Sequence, residues 1–497
     1  MGSSESGRAL PDSINALEER AHQKRPQYPM ETPGTITRFN NGVSLRTGAL
    51  LLLLGATLFV LYRAGVRADS ADDIRWFLKV ALVQSAIYLL AAWIVVRSRP
   101  SRATLPIVVV FAVLFRLSIV FAPPYLSDDI YRYIWDGRVQ AAGINPYRYV
   151  PAAPELAHLR DAQIYPKINR RDSAPTIYPP FAEFLFFLTT RISESVVWMK
   201  LTMLGFEVIA VWVMAQLLAL LGLARERVLI YAWHPLVVWE FAGSGHVDVI
   251  VIAFIAVAFL AWQRKADITS GFALAGATLI KLFPLVLLPA LFKRGRWRVP
   301  LVFAITIVLA YLPYLSVGPK AVLGYLPGYA LEQGLASGEQ FYFLNVARRL
   351  LGANVPSAAF VIFAAVVMGG IACRVMLRKK ISSEDSLKAA MILATATTVL
   401  FAPHYSWYFA WLVPFLCFTP WLSVFYLTTA GFLLYLTWLG DSPDEMFFMN
   451  SIIYLPFLLI AAIEFFYRRY GFNLPSLRQL DPIAIETSHH RGTQRQK

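Results

Sequence analysis

The sequence predicts an all-α polytopic membrane protein with a large first outer loop. Hydrophobic residues make up 57% of the 497 residues and charged residues only 15%, whereas soluble domains carry about 25% charged residues. Apolar runs long enough to cross a bilayer recur from Ser44 to Tyr467. The runs are continuous rather than alternating, which excludes a transmembrane β-barrel.

The net charge of +15 does not indicate a nucleic-acid partner, because the basic residues cluster in short connections between apolar runs. Such clusters mark cytoplasmic loops of membrane proteins. They are Arg97-Ser98-Arg99, Arg225-Glu226-Arg227, Arg264-Lys265, Lys293-Arg294-Gly295-Arg296, Arg378-Lys379-Lys380 and Arg468-Arg469.

The chain is expected to divide into four parts. Residues 1–43 and 473–497 are polar, lack a hydrophobic period and are predicted to be cytoplasmic tails, the first of them disordered. Residues 44–97 hold two apolar runs and predict a transmembrane hairpin. Residues 104–470 form the main transmembrane module.

The predicted spans lie near 45–63, 76–96, 104–122, 177–192, 196–221, 228–242, 247–262, 270–292, 299–315, 355–375, 386–401, 404–418, 421–438 and 447–467. Counting from the basic cytoplasmic loop at Arg97, residues 123–176 become an outer loop, with a second at 316–341. Two full spans after residue 176 would place Arg225 outside, so one of the runs 177–192 and 196–221 is expected to cross only partly. Tyr178-Pro179-Pro180 makes 177–192 the favoured one. The run 270–292 is expected to bend at Lys281 and Pro284.

Acidic residues at the start of the first outer loop are the main candidates for chemistry. Asp128 and Asp129 follow a predicted span directly, and carboxylates at a membrane boundary are usually functional. If residues 128–136 are helical, Asp129, Arg132 and Asp136 share one face. Asp129 is interpreted as a general base with the Arg132 guanidinium beside it. For Asp136 and for Arg138, a local salt bridge is the favoured role.

Other polar residues interrupt later apolar runs. His246 and Asp248 either line a cavity with Asp129 or pin helices together. Lys281 either neutralises a phosphate or extends to the cytoplasmic boundary. His404 and its neighbours either contact substrate or belong to an aromatic belt at the interface. For His234, helix packing is favoured.

The seven histidines are scattered without the spacing of metal ligands, so no metal site is predicted. Asp128 and Asp129 could hold a hard divalent cation, although the chemistry does not require one. No other cofactor is expected.

The polar landmarks, taken in order, resemble those of the GT-C superfamily of membrane glycosyltransferases. The similarity is closest to the polyprenyl-phosphate-mannose-dependent branch, which includes bacterial mannosyltransferases and the first mannosyltransferase of GPI-anchor assembly. The landmarks are Asp129, Gly143-Ile144-Asn145-Pro146-Tyr147, Tyr178-Pro179-Pro180, His234-Pro235-Leu236, Gly245-His246-Val247-Asp248, Lys281-Leu282-Phe283-Pro284 and His404-Tyr405. The hairpin at 45–96 and the Asp128-Asp129 doublet depart from the family pattern.

The resemblance implies a GT-C-type helical bundle that transfers a sugar, in this branch mannose, from a polyprenyl-phosphate donor to a lipid- or glycan-linked acceptor hydroxyl. Transfer would invert the anomeric centre, on the outer face of the plasma membrane. The partners are then the donor, the acceptor and membrane lipids. The implied catalytic candidates are Asp129 and Asp128, and the implied substrate-binding residues are Arg132, Tyr178, His246, Asp248, Lys281, His404 and Tyr405.

Two other classes share these features. A transporter or flippase of lipid-linked sugars also places polar groups within spans, but it needs a polar route through both faces, and here the polar residues gather on the outer side. A ligase or polymerase of lipid-linked glycans would share the site but use an oligosaccharide donor.

Overall fold

The computed structural model describes residues 41–66, 71–98, 103–124, 126–293, 295–332, 337–338, 341–352, 354–378, 382–438 and 442–470. These residues form helices, turns and loops with no strand, which confirms the all-α prediction. Apart from residues 41–43, which begin the first helix, the predicted tails lie outside the described residues.

The α-helices, numbered in chain order, are α1 Asn41–Gly65, α2 Ala71–Arg97, α3 Thr104–Ile119, α4 Asp129–Ala141, α5 Pro180–Thr190, α6 Val196–Leu220, α7 Leu229–Ala232, α8 Pro235–Val238, α9 Asp248–Gln263, α10 Asp267–Thr278, α11 Leu288–Leu291, α12 Arg298–Tyr311, α13 Leu326–Glu332, α14 Tyr342–Leu351, α15 Ser357–Met376, α16 Ser383–Phe401, α17 Val413–Leu416, α18 Leu422–Ala430 and α19 Pro443–Tyr470. Short 3-10 helices cover Pro154–Leu159, Tyr165–Lys167, Arg225–Val228, Phe283–Leu287, Leu312–Val317, Ala321–Leu323, Ser406–Leu412 and Gly431–Trp438.

Six helices in the described part of the chain are long and apolar enough to cross a membrane. They are Arg46–Gly65, Asp73–Arg97, Val196–Leu220, Arg298–Val317, Ser357–Met376 and Asp444–Tyr470. In contrast, α5 has 11 residues and is therefore about 16 Å long, roughly half the hydrocarbon thickness. That length agrees with the partial span predicted for residues 177–192.

Two predicted spans are interrupted. The run 270–292 bends as expected, because α10 ends at Thr278 and a 3-10 helix begins at Phe283. At the interruption, the Leu279 carbonyl accepts hydrogen bonds from the backbone amides of Phe181 and Ala182 at the start of α5, at 3.1 and 3.2 Å.

The run 228–242 was predicted as one span, and this prediction is wrong. It consists of α7, α8 and a π-helical turn at Trp239–Ser244. Pro235 lacks the amide that would continue α7. His234 at this break is fully buried and its Nε2 lies 3.1 Å from the Thr428 hydroxyl, which confirms the packing role favoured for it.

Polar contacts order the first outer loop. Tyr147 donates from its hydroxyl to the Tyr178 carbonyl at 2.7 Å, and Asn145 donates to the Tyr314 carbonyl at 2.9 Å. Gly324 has φ +56°, and an added Cβ would lie 2.0 Å from the Thr176 carbonyl oxygen. The second loop therefore packs closely against the first one.

The local salt bridges predicted within the first outer loop are present. Arg132 Nε lies 2.8 Å from Asp136 Oδ1. Arg138 Nη2 lies 2.6 Å from Asp161 Oδ2 and 2.8 Å from Glu194 Oε2. Asp136 and Arg138 thus join α4 to itself and to neighbouring segments.

Candidate active site

A cavity of about 480 Å³ opens beside the start of α4. Four parts of the chain surround it: the first outer loop with the two residues that follow it, the interruption after α10, α13 with Tyr329, and the segment that carries Tyr405. The lining residues are Ser127, Asp128, Asp129, Asn169, Arg170, Ile177, Tyr178, Lys281, Tyr329, Glu332, Tyr405, Trp407 and Tyr408.

Asp129 is the first residue of α4, where the helix dipole favours a negative charge. Its Oδ1 accepts a hydrogen bond from Asn169 Nδ2 at 2.8 Å. Its Oδ2 lies 3.7 Å from His246 Nδ1, and the side chain keeps 21% of its surface exposed. The carboxylate is thus held by Asn169 on one side, faces the His246 ring on the other and still reaches the cavity.

His246 lies behind Asp129 and does not line the cavity. Its ring stacks on Trp407 with centroids 4.2 Å apart, and its Nε2 lies 3.4 Å from Glu240 Oε2. Gly245, with φ +78°, makes the turn before it, and an added Cβ would lie 2.6 Å from Ile130 Cδ1. A glycine is therefore needed where His246 approaches α4.

Lys281 enters the cavity from the interruption after α10. Its ammonium donates to Asp248 Oδ2 at 2.7 Å and lies 4.7 Å from the Tyr408 ring centroid. Lys281 therefore lies where it can meet an anion that enters the cavity, and its role stays a prediction. Asp248 is itself 1% exposed and reaches the cavity only through Lys281.

Arg170 supplies a second cation. Its Nε lies 2.8 Å from Glu332 Oε2, and Tyr325 donates its hydroxyl to the other Glu332 oxygen at 2.6 Å. The backbone of Arg170 has φ +48°, a conformation that is uncommon for a residue with a side chain and that occurs often at functional sites.

Asp128, the neighbour of Asp129, is exposed and lines the cavity. Partial burial and the adjacent Asp129 carboxylate raise the pKa of Asp128, while the nearby Lys167 opposes that shift. The doublet therefore offers two carboxyl groups in different surroundings, which is one way a site separates an acid from a base.

Residues 46–293, about half of the chain, match the family model described as alpha-(1->6)-mannopyranosyltransferase, N-terminal domain. The chain belongs to this family. It is therefore a membrane mannosyltransferase, and the predicted resemblance is confirmed. The match includes Asp129, Asn169, His246 and Lys281. No curated protein and no solved structure matches the chain.

Four predicted substrate-binding residues lie outside the cavity lining of this mannosyltransferase: Arg132, His246, Asp248 and His404. Arg132 is 5% exposed. It donates hydrogen bonds to Asp136 Oδ1 at 2.8 Å and to the Ala174 carbonyl at 3.1 Å. It therefore does not stand beside Asp129 as expected. His404 also lies outside the lining, and burial lowers its pKa to about 4.

Several lining residues were not predicted from the sequence. Asn169 and Arg170 lie in the outer loop without a recognisable motif. The polar run Asn169-Arg170-Arg171 in a loop rich in aromatic residues is the sequence signal that could have identified them. Tyr329 and Glu332 come from α13, more than 150 residues after Asp129 in the chain, and carry no local signal. Tyr178 and Tyr405 were predicted and do line the cavity.

No group of three or more His, Cys, Asp or Glu side chains in the described residues is arranged to hold a metal ion. The charged groups that reach the cavity are the carboxyls of Asp128, Asp129 and Glu332 and the cations of Lys281 and Arg170. This set can accept a proton at one point and offset the charge of an anion at another.

Proposed function

We propose that this mannosyltransferase moves mannose from a polyprenyl-phosphate donor to a hydroxyl of a lipid- or glycan-linked acceptor. The reaction takes place on the non-cytoplasmic face of the plasma membrane. One observation carries the proposal: the Asp129 carboxylate, fixed by Asn169 and flanked by His246, shares a cavity with the Lys281 and Arg170 cations.

The family description supports an α-(1→6) product. The nucleophile is then a primary hydroxyl at C6 of a sugar on the acceptor. A single displacement inverts the anomeric centre, so an α product requires a donor in which mannose is β-linked to phosphate. A donor of α configuration should not be used.

Asp129 acts as the general base in this reaction. It takes the proton of the acceptor hydroxyl while that oxygen bonds to C1 of mannose and the bond from C1 to the phosphate oxygen breaks. The products are the mannosylated acceptor and a polyprenyl monophosphate. Asp129 keeps part of its surface open to the cavity, which gives the hydroxyl access.

Lys281 and Arg170 offset the charge that develops on the departing phosphate. Both side chains line the cavity and both are already paired with a carboxylate, Asp248 and Glu332 respectively. These partners hold the cations in place before the phosphate arrives. We therefore propose that transfer has no metal cofactor.

The membrane side is supported by the distribution of basic loops. In this proposal α3 crosses the bilayer, so that Arg97, which precedes α3, and Asp129, which follows it, lie on opposite sides. Because basic loops favour the cytoplasm, the cavity would face outward, where a lipid-linked donor presents its sugar beside the membrane.

The test is label transfer by purified protein in liposomes, with polyprenyl-phosphate-β-mannose labelled in the sugar. Asp129→Asn should fold normally and lose at least about 10³-fold in rate. The control is Asp172→Asn, because Asp172 lies in the same loop with a side chain 75% exposed. Full activity of Asp129→Asn would exclude the general base, and loss of activity with EDTA would exclude the metal-free reaction.

A further inference from the structure

A buried chain of acid, imidazole and acid continues inward from Asp129. Asp129 Oδ2 lies 3.7 Å from His246 Nδ1, and His246 Nε2 lies 3.4 Å from Glu240 Oε2. At the inner end, Tyr435 donates its hydroxyl to Glu240 Oε1 at 2.5 Å. His246 is 1% exposed and Glu240 is fully buried.

Among the described residues, neither ring nitrogen of His246 has a hydrogen-bond partner, and neither has Glu240 Oε2. The carboxyl oxygens at 3.7 and 3.4 Å are the acidic groups that face the ring. In the described part of the chain, no lysine or arginine forms an ion pair with Glu240. A buried carboxyl without a cation must share a proton or carry one. The imidazole is the group placed to share it.

The hydrogen-bonding capacity of imidazole limits how these protons are arranged. A neutral ring donates from one nitrogen and accepts at the other. If Nδ1 donates to the Asp129 carboxylate, Nε2 must accept, and the proton it accepts can come only from a protonated Glu240. If the ring is instead charged, it donates to both carboxylates. The two arrangements hold the same number of protons and differ only in where one of them sits.

We propose that Glu240 and Tyr435 are positioning residues that keep His246 as the hydrogen-bond donor to the Asp129 carboxylate. Tyr435 fixes Glu240, Glu240 supplies the proton that occupies Nε2, and the ring is left to donate from Nδ1. The inference rests on the proposed role of Asp129 as the base. Asn169 holds Oδ1, and a hydrogen bond from His246 to Oδ2, formed when the site closes on its substrates, would fix the orientation that the carboxylate presents to the acceptor hydroxyl.

The backbone gives a reason for this geometry. Glu240 lies in the π-helical turn Trp239–Ser244, and its carbonyl accepts from the His246 amide at 3.0 Å. π-Helical turns are rare and frequently occur at functional sites. The two separations, 3.4 and 3.7 Å, exceed a typical N–H···O distance by about 0.5 and 0.8 Å, and catalytic hydrogen bonds commonly shorten in the transition-state complex.

The experiment compares Glu240→Gln with Glu240→Met in the full-length protein, using the mannose-transfer assay. An amide can accept from Tyr435 and donate to Nε2, as a protonated carboxyl does, whereas a thioether cannot. Glu240→Gln should keep kcat within about threefold of the wild type. Glu240→Met should lower kcat by about 100-fold with the KM for the donor unchanged, since Glu240 does not touch the cavity.

Tyr435→Phe is the second variant, with Tyr426→Phe as its control, because the Tyr426 hydroxyl also donates a hydrogen bond, in its case to the Ile452 carbonyl. Tyr435→Phe should lower kcat by about 3- to 10-fold, in line with the loss of one hydrogen bond, and the control should not. If Glu240→Met fails to fold, an active Glu240→Gln together with a slowed Tyr435→Phe supports the proposal.

Three results overturn it: a folded but inactive Glu240→Gln, a fully active Glu240→Met, or a Tyr435→Phe that behaves like its control. Asp129→Asn and the wild type are measured in parallel. A wild type that does not transfer mannose, or an active Asp129→Asn, removes the proposed function itself, so the two failures can be told apart.

Discussion

The cavity beside Asp129 has two walls that differ in chemistry and in origin. The first wall lies within the residues that match the mannosyltransferase family model, and most of it is polar: its residues are Ser127, Asp128, Asp129, Asn169, Arg170, Ile177, Tyr178 and Lys281. The second wall lies outside that match and, Glu332 apart, is aromatic: its residues are Tyr329, Glu332, Tyr405, Trp407 and Tyr408.

The difference suggests a division of labour. A carboxylate and two cations can move a proton and stabilise a phosphate, so changes in the first wall should lower kcat. Aromatic faces bind apolar surface with defined geometry, and a sugar ring presents such a surface through its C–H groups. Changes in the second wall should therefore act mainly on KM for the acceptor.

Among the substitutions that test this division, Lys281→Met is expected to have the largest effect on the rate of transfer. It removes one of the two cations of the first wall, and we expect transfer to fall about 10²- to 10³-fold. It also leaves Asp248 buried without its partner, which should cost about 3–5 kcal/mol of folding stability. Transfer assays and thermal unfolding measure the two effects separately.

The double variant Lys281→Met/Asp248→Asn is the control for Lys281→Met, because it removes the unpaired carboxylate. It should regain most of the stability and none of the activity. Recovery of transfer in the double variant would mean that Lys281 serves only to satisfy Asp248.

A smaller effect is expected from Arg170→Gln, at the point where the two walls meet through the Arg170–Glu332 ion pair. We expect kcat/KM for the donor to fall about 10- to 100-fold, corresponding to about 1.4–2.8 kcal/mol. Arg171→Gln is the matched control, because Arg171 is the next residue and pairs with exposed Asp172. Equal effects of the two substitutions would assign the loss to general loop charge.

The smallest effect is expected from Tyr405→Leu in the second wall. Tyr405 stacks on Trp407 with ring centroids 4.5 Å apart and an angle of 9°. Loss of this aromatic face should raise KM for the acceptor about 10-fold, or about 1.4 kcal/mol, with kcat nearly unchanged. Steady-state kinetics with varied acceptor measures this, with Tyr470→Leu on the exposed end of α19 as control. A fall in kcat at constant KM would place Tyr405 with the first wall.

The first wall was more accessible to sequence reasoning than the second. Asp129 and Lys281 are charges in apolar surroundings, and each such charge must have a partner or a role. Local periodicity then placed Arg132 beside Asp129, but Asp136 lies one turn further along α4 and binds that guanidinium. Spacing along a helix identifies which residues share a face and does not decide which of two carboxylates takes the cation.

The second wall depends on contacts between distant parts of the chain. Tyr329 and Glu332 belong to a short helix that packs near the first outer loop, and nothing in their own sequence neighbourhood marks them. The fold class and the bend near Lys281 followed from composition and from the residues Lys281 and Pro284. The break in the run 228–242 was not predicted, because the run is apolar and its composition does not reveal that Pro235 interrupts the helix.

The contact between α5 and the end of α10 explains how two incomplete helices can be accommodated within a membrane protein. Free backbone groups are not tolerated in hydrocarbon, yet a half-length helix exposes its first amides and an interrupted one exposes its last carbonyls. Here the Leu279 carbonyl oxygen accepts hydrogen bonds from two backbone amides at the start of α5. The end of α10 therefore supplies the acceptor that α5 lacks, and α5 supplies the donors that α10 lacks. If either segment became a continuous helix, the backbone groups of the other would lose these hydrogen-bond partners. The position of the Lys281 ammonium therefore depends on both segments together.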